Sequence, residues 1–187
     1  MNKHKFIVSR YNHDADWLIE YAKPEEIFMY DRSEVPLEGA IQTRNIGTDL
    51  LDKFTYIIDN YDDLPDVAVY TKCNLFKYIT KPEFDLVKDC KTFMPLLTKN
   101  HRCYDNGTVP VCFYKDGMYF EINNAWYLNS HPARSRFTPA EVSNLMGIAE
   151  MMYVPFAPGS NYILTKENIR QNTRAFYERL RSYLTWA

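Results

Sequence analysis

The spacing of apolar residues in the first half of the chain predicts alternating strands and helices. Short apolar runs at residues 5–9, 26–30 and 67–70 are typical of buried strands. A helix that begins at Asp14 or Asp16 is expected between the first two runs. Before the third run, apolar residues recur along one helix face: Leu50, Leu51, Phe54, Ile57, Ile58 and Tyr61. Strands joined by helices in this order are expected to pair in parallel.

Polar residues follow each of the three predicted strands, at residues 10–12, 31–33 and 71–74. If the strands are parallel, their carboxyl ends lie at the same edge of the sheet. Ligands of α/β proteins bind at that edge. The pattern therefore predicts a functional site there, without naming a reaction.

The second half of the chain predicts shorter and more varied elements. Residues 82–97 have a helical pattern that is interrupted near Pro95. Residues 111–123 predict a hairpin, because the Asp116-Gly117 pair accepts the positive φ angles of a tight turn. Two short strands are expected at residues 153–157 and 162–164.

A final helix, capped by Thr165, is expected to continue through Trp186. Its predicted inner face consists of Ile169, Phe176, Leu180 and Leu184. Together these elements predict an α/β fold class: a single domain with a central mixed, partly parallel β-sheet flanked by helices. With 187 residues, the chain has the length of one such domain.

Composition narrows the classes of partner. Aromatic residues form 16% of the chain, which indicates either an aromatic-rich core or a ring-lined cleft for a base or a sugar. The formal net charge of −2, with no long basic run, argues against a nucleic-acid partner. No apolar run approaches the roughly 20 residues that a membrane span needs.

The cysteines and histidines give no motif for a metal or disulfide site. Cys73, Cys90, Cys103 and Cys112 form no Cys-x-x-Cys pair. Reduced thiols and a cytoplasmic location are therefore expected. The four histidines also lack a metal-binding spacing, so any metal site has to be assembled from distant segments.

Three blocks, in this order, resemble nucleotide-sugar glycosyltransferases of the GT-A type. They read FIVSRYNHDADWL, NIGTDLLDKFTYIIDNYDDLPDVAVYTKCN and FAPGSNYILTKENIRQNTRAFYERL. Small enzymes of this kind occur in large DNA viruses of algae that glycosylate their own capsid proteins. The resemblance implies a nucleotide-binding half at residues 1–80 and an acceptor-binding half at residues 81–187. It also implies a UDP-sugar donor, a glycan or glycoprotein acceptor, and the host cytoplasm as the location of a viral enzyme.

The resemblance also implies which residues contact the nucleotide. The candidates are Ser9, Arg10, Tyr11, Asp31, Arg32, Asn45, Asp49, Lys72 and Asn74. Tyr11 could stack on the base or be an ordinary rim aromatic, and Arg10 could contact phosphate or pair with a nearby aspartate. Asp31 is expected to accept a hydrogen bond from the nucleoside. Asn45 and Asp49 could orient ribose or phosphate, but both are also common turn and capping residues.

The expected metal motif is missing. Enzymes of this type usually carry an Asp-x-Asp pair after the third strand, where this chain has Thr71-Lys72-Cys73-Asn74. Dependence on Mn²⁺ or Mg²⁺ is therefore an open question. Lys72 could instead neutralise the phosphate charge directly, as a compact cation.

The second half supplies the remaining candidates. Glu121 could be the base of an inverting transfer, or an exposed strand residue that faces away from the apolar side of its strand. The acceptor-binding candidates are Trp126, Tyr127, His131 and Arg134. A nucleotidyltransferase or a non-catalytic nucleotide-binding module is the alternative function, since the same three polar strand ends would serve either.

Overall fold

The computed structural model of this chain describes residues 4–98, 112–116, 118–122, 147 and 152–185. The strands within these ranges are β1 (His4–Arg10), β2 (Ile27–Asp31), β3 (Ile41–Gln42), β4 (Val67–Lys72), β5 (Met94–Pro95), β6 (Cys112–Lys115), β7 (Met118–Ile122), β8 (Tyr153–Pro155) and β9 (Tyr162–Thr165). The α-helices are α1 (Thr48–Asp59), α2 (Lys81–Val87), α3 (Lys166–Arg170) and α4 (Arg174–Leu184). None of the helices in the described ranges is long and apolar enough to cross a membrane.

Six strands form one mixed sheet in the order β3-β2-β1-β4-β9-β5. Strand β1 pairs in parallel with both β2 and β4, and β2 pairs in parallel with β3. Strand β9 runs antiparallel to β4 and β5. The predicted α/β class, with a mixed sheet flanked by helices, is therefore confirmed. The parallel pairing of the first three predicted strands is confirmed as well.

Alternation along the strands divides the core between the two faces of this sheet. Phe6, Val8 and Val69 pack on one face, with α2 and the 3₁₀ helix Asp16–Glu20. Ile7 and Tyr70 pack on the other face, with α1 and α4. We refer to these as the α2 face and the α1 face. Because both faces are covered, the parallel strands are apolar almost throughout.

Helix α1 has the predicted apolar side, with Leu51, Ile57 and Ile58 buried. Its N-cap residue is Gly47 rather than Thr48 or Asp49. Gly47 has φ 64°, and a Cβ atom there would lie 3.0 Å from Leu184 of α4. A glycine at this position therefore lets the two helices pack closely.

Several predicted helices are shorter than the sequence pattern suggested. The helix expected after β1 is only the 3₁₀ turn Asp16–Glu20. The helix predicted at residues 82–97 ends at Val87, and Pro95 belongs to β5 instead of interrupting a helix. Proline is tolerated there because β5 is the last strand at its edge of the described sheet.

The final helix is two helices. Thr165 caps α3 as predicted, since its hydroxyl accepts a hydrogen bond from the backbone N–H of Asn168 at 3.2 Å. The chain then leaves the helical path, and Thr173 caps α4 by accepting from the N–H of Phe176 at 3.3 Å. A threonine that caps the first turn of a helix marks where a helix begins. The second cap, at Thr173, therefore starts a new helix.

Strands β6, β7 and β8 form a separate antiparallel sheet. The predicted hairpin at residues 111–123 is confirmed as β6 and β7, with Asp116 at φ 52° in the turn. The two short strands predicted on either side of Pro158 and Gly159 are also present as β8 and β9. They belong to different sheets.

Candidate functional site

The winding of the main sheet reverses between β1 and β4. Strands β2 and β3 lie on one side of β1, and β4 lies on the other. Ligands of such sheets usually bind at a reversal of this kind, outside the carboxyl ends of the strands. The register sets Arg10 beside Asp31 and Ser9 beside Lys72 at this edge.

On the α2 face of the edge, a buried carboxylate organises the ends of β1 and β2. Arg10 donates to Asp31 Oδ2 at 2.6 Å, and Ser33 donates to Oδ1 through both its hydroxyl and its backbone N–H, at 2.6 and 2.9 Å. The N–H of Leu37 donates to Oδ2 at 3.0 Å. Burial favours the neutral carboxyl, but the hydrogen bonds from Ser33, Leu37 and Arg10 outweigh it and lower the pKa of Asp31 to about 2.

On the α1 face, a second carboxylate joins β1 to the segment after β2. Asp52 accepts from Ser9 Oγ at 2.7 Å and from the Arg32 guanidinium at 2.6 Å. Burial nevertheless raises the pKa of Asp52 to about 6, against the opposing effects of Arg32 and Ser9. This carboxyl is thus the one at the edge whose protonation changes near neutral pH.

A third carboxylate on the α1 face is shared by two lysines. Lys53 Nζ donates to Asp49 Oδ2 at 2.6 Å, and Lys72 Nζ lies 3.3 Å from Asp49 Oδ1. Burial opposes ionisation, but the attraction of Lys53 and Lys72 lowers the pKa of Asp49 to about 2. The Lys72 side chain is 29% exposed, whereas that of Lys53 is fully buried. Lys72 is therefore the cation that a ligand can reach.

The turn before β9 completes this part of the edge. Gly159 and Ser160 have φ angles of 71° and 60°. A Cβ atom at position 159 would lie 2.5 Å from the ring of Tyr78, so only glycine fits. Ser160 accepts hydrogen bonds from Lys53 Nζ through its carbonyl and its hydroxyl. The turn is thereby tied to α1.

Asn161 joins the same turn to the end of β4. Its Oδ1 accepts from the backbone N–H of Lys72 at 2.9 Å and from Thr71 Oγ1 at 3.1 Å. Its buried Nδ2 has no hydrogen-bond partner within the described part of the chain, and the same holds for Oδ1 of Asn74. A buried amide of this kind needs an explanation, because unmade hydrogen bonds are costly.

The ion pairs at the edge contain more cations than carboxylates. They join four cations (Arg10, Arg32, Lys53 and Lys72) to three carboxylates (Asp31, Asp49 and Asp52). Among these cations, Lys72 has the most exposed side chain. A partly exposed cation of this kind attracts anionic ligands.

A family model described as "Protein of unknown function (DUF3431)" matches residues 6–187. The chain belongs to this family. No curated protein and no solved structure matches it. All of the edge residues described above lie inside the segment that this DUF3431 model covers.

The remaining nucleotide candidates of this DUF3431 domain differ in exposure. Tyr11 follows β1 and is 52% exposed, so its ring is available to a ligand at this edge of the sheet. Asn45 is exposed on the loop before α1, and Asn74 is half-buried after β4. The edge thus brings together Ser9, Arg10, Asp31, Arg32, Asp49 and Lys72, with Tyr11 and Asn74 adjacent in the chain.

Glu121 lies on β7 of the small sheet, opposite Cys112 and Val154. Its side chain shares a face with the buried Cys112 and Tyr119, and burial raises its pKa. Glu121 faces away from Phe120 and Ile122, as expected from the alternation along the strand, but it is half-buried rather than exposed because its own face carries Cys112 and Tyr119. The acceptor candidates Trp126, Tyr127, His131 and Arg134 lie outside the described residues.

The residues after β4 do not suit a divalent cation. Mg²⁺ and Mn²⁺ prefer several oxygen ligands, usually including free carboxylates. Here Asp49, the carboxylate beside Lys72, is held by two ammonium groups, and burial raises the pKa of the Cys73 thiol to about 12. Within the described ranges, no group of three His, Cys, Asp or Glu side chains could hold a metal ion.

An open groove of about 550 Å³ lies beside this edge, between β3, α1 and α4. Its lining includes Tyr30, Gln42, Thr55 and Arg181. None of the nucleotide candidates lines it. The charge at the carboxyl edge, rather than the size of this groove, therefore defines the candidate site.

Four residues at the edge are not among the candidates predicted from the sequence: Asp52, Lys53, Ser160 and Asn161. A charged pair in the middle of an amphipathic helix normally indicates the solvated face. The spacing of Asp49, Asp52 and Lys53 does indicate that the three side chains share one side of α1. The sequence could not show that this side faces the sheet edge.

Replacing Asp52 by asparagine is expected to change the pH dependence of stability. The pKa of Asp52 is raised from 3.8 to about 6 in the folded protein, so its ionisation opposes folding. The wild type should gain about 1 kcal/mol as the pH falls from 7 to 5, and the gain should be absent in Asp52→Asn. Urea unfolding at the two pH values measures this difference. An equal gain in both proteins would contradict the assignment.

Proposed function

We propose that this protein is a glycosyltransferase that moves a sugar from a nucleoside-diphosphate donor, with uracil as the base, to a glycan or glycoprotein acceptor. The observation that carries the proposal is the partly exposed Lys72 at the carboxyl end of β4. This is the edge at which the strand order changes direction, between β1 and β4. A diphosphate has the negative charge to pair with this ammonium. Each of the three sequence blocks that resemble GT-A glycosyltransferases contributes residues to the same edge.

Lys72 would act on the leaving group. Attack of an acceptor hydroxyl on the anomeric carbon breaks the bond from that carbon to the diphosphate oxygen. Negative charge then develops on the diphosphate, and a neighbouring cation stabilises it more in the transition state than in the bound donor. Because the residues after β4 do not suit a divalent cation, we assign the stabilisation of the leaving diphosphate to Lys72.

The unpartnered side-chain amide of Asn161 supports the proposal that a ligand binds next to Lys72. Its Oδ1 is fixed by Lys72 N and Thr71 Oγ1, while Nδ2 has no partner among the described residues. A phosphate or sugar oxygen next to Lys72 would satisfy this donor after a small movement of the turn at residues 158–161. Tyr11 offers an exposed ring for the base at the end of β1.

Glu121 is the proposed base if the transfer inverts the anomeric centre. A general base works best when its pKa is near the working pH, and burial raises the pKa of Glu121 in that direction. A retaining transfer would not need this carboxylate. Glu121→Gln would then keep its activity, whereas loss of turnover is expected if Glu121 is the base.

The experiment is a screen of UDP, GDP, CMP and their sugars by thermal shift, with and without Mn²⁺. A ligand that binds only the folded protein raises the melting temperature, and 100 times its Kd adds about 2.7 kcal/mol. We expect UDP and UDP-sugars to raise it equally with and without metal. If no nucleotide raises it, the proposal fails.

Ligands that pass the screen are then tested for slow release of UDP from each UDP-sugar. Release identifies a transferase that uses water as a poor acceptor. Binding without release, in the presence of a glycan acceptor library, would favour the non-catalytic binding module.

A further inference from the structure

Asp49 has two lysine partners that are not equivalent. The Lys53 ammonium lies 2.6 Å from Oδ2, which is the distance of a strong charge-assisted hydrogen bond. The Lys72 ammonium lies 3.3 Å from Oδ1, which is longer than such bonds usually are. The carboxylate is thus already neutralised by Lys53, and Lys72 is held only loosely.

The Lys53 ammonium is surrounded by acceptors that satisfy it inside the protein. Its side chain is fully buried on α1 and donates to the carbonyl and hydroxyl of Ser160 as well as to Asp49. Its ammonium also lies 4.6 Å from the centroid of the Tyr162 ring. Burial lowers the pKa of Lys53, while the Asp49 charge opposes that change. No ligand can reach this ammonium directly.

We propose that Lys53 is a positioning residue: by occupying Asp49 and holding Ser160, it leaves Lys72 available to an anionic ligand at the carboxyl edge. The part of this inference that names an anionic ligand rests on the proposed function. The competition between the two lysines for Asp49 does not, because it concerns only the free protein.

If Lys53 is a positioning residue, its removal should change the position of Lys72, which loss of a simple packing contact would not do in the same direction. Asp49 is buried, and a buried carboxylate without a partner costs several kcal/mol. If Lys53 is removed, the flexible Lys72 is the only described cation left within reach, and its ammonium should close onto Asp49. Loss of a merely structural residue would loosen the edge and expose Lys72 more.

The experiment compares wild type, Lys53→Met, and the pair Asp49→Asn with Lys53→Met. Each protein is treated with an amine-reactive acetyl ester, and mass spectrometry gives the acetylation rate of Lys72 relative to the exposed Lys77. Only the unprotonated amine reacts, so tighter pairing with a carboxylate slows the reaction. We expect Lys72 to react about threefold more slowly in Lys53→Met, and faster than wild type in the double variant.

A rate for Lys72 in Lys53→Met that equals or exceeds the wild-type rate would overturn the proposal. If Lys53→Met does not fold, the double variant decides, because it buries neither charge. An unchanged Lys72 rate there would show that Asp49 does not restrain Lys72.

UDP titration of the same three proteins gives the second readout. We expect weaker binding in Lys53→Met and recovery in the double variant. If wild type binds no UDP, the proposed function fails, while the acetylation rates still test the role of Lys53.

Discussion

Replacing Asp31 by asparagine is expected to lower the free energy of unfolding by about 2–4 kcal/mol. The carboxylate is fully buried and accepts four hydrogen bonds, from Arg10, Leu37 and both donors of Ser33. Asparagine keeps the shape of the side chain but removes the charge and turns one acceptor into a donor. Arg10, whose side chain is 13% exposed, would then lose its ion pair. Urea unfolding at pH 7 measures the difference.

Asp59→Asn is the matched control, because it makes the same chemical change at a residue that is exposed on α1. Its effect should stay within about 0.5 kcal/mol. The pKa of Asp31 is lowered from 3.8 to about 2, so its contribution is present above pH 4 and is lost as the pH falls towards 2. The gap between wild type and Asp31→Asn should therefore narrow in acid. A gap under 1 kcal/mol at pH 7 would contradict the anchoring role of Asp31.

The parallel half of the fold could be predicted because its local signals agree. The apolar runs of β1 and β4 are buried on both faces, that of β2 is at least half-buried, and the helical pattern of α1 is strong. The weaker signals came from segments in which tertiary contacts decide the structure. Strand β5 contains a proline, and the break between α3 and α4 depends on a second threonine cap.

The candidate site could be predicted only as a set of strand ends. Alternation along β1 and β4 sends Ser9 and Lys72 to the α1 face, and the residues that receive them come from other elements. Asp49, Asp52 and Lys53 lie on a helix, and Ser160 lies 107 residues from Lys53 in the chain. Such partners follow from the packing of α1 on the sheet, which no local pattern specifies.

Replacing Lys72 by methionine is expected to weaken UDP binding by tenfold or more. A hydrogen bond to a charged group contributes about 1.5–3 kcal/mol, and 1.4 kcal/mol corresponds to a factor of ten in Kd. Methionine keeps the length of the aliphatic stem. Asp49 keeps its partner Lys53, so the fold and the melting temperature should change little.

The wild-type affinity should also fall with salt, because a partly exposed cation is screened. This dependence should be weaker in Lys72→Met. Lys77→Met is the matched control, since Lys77 is an exposed lysine five positions further along the chain. It removes the same charge from the same segment, without touching Asp49.

The proposed role of Lys72, to bind a nucleoside diphosphate at the carboxyl edge of the sheet, is tested by calorimetric titration of UDP into wild type, Lys72→Met and Lys77→Met. We expect wild type and Lys77→Met to bind UDP with the same Kd, and Lys72→Met to bind at least about tenfold more weakly. Equal Kd values for all three proteins, or no binding by wild type, would contradict it.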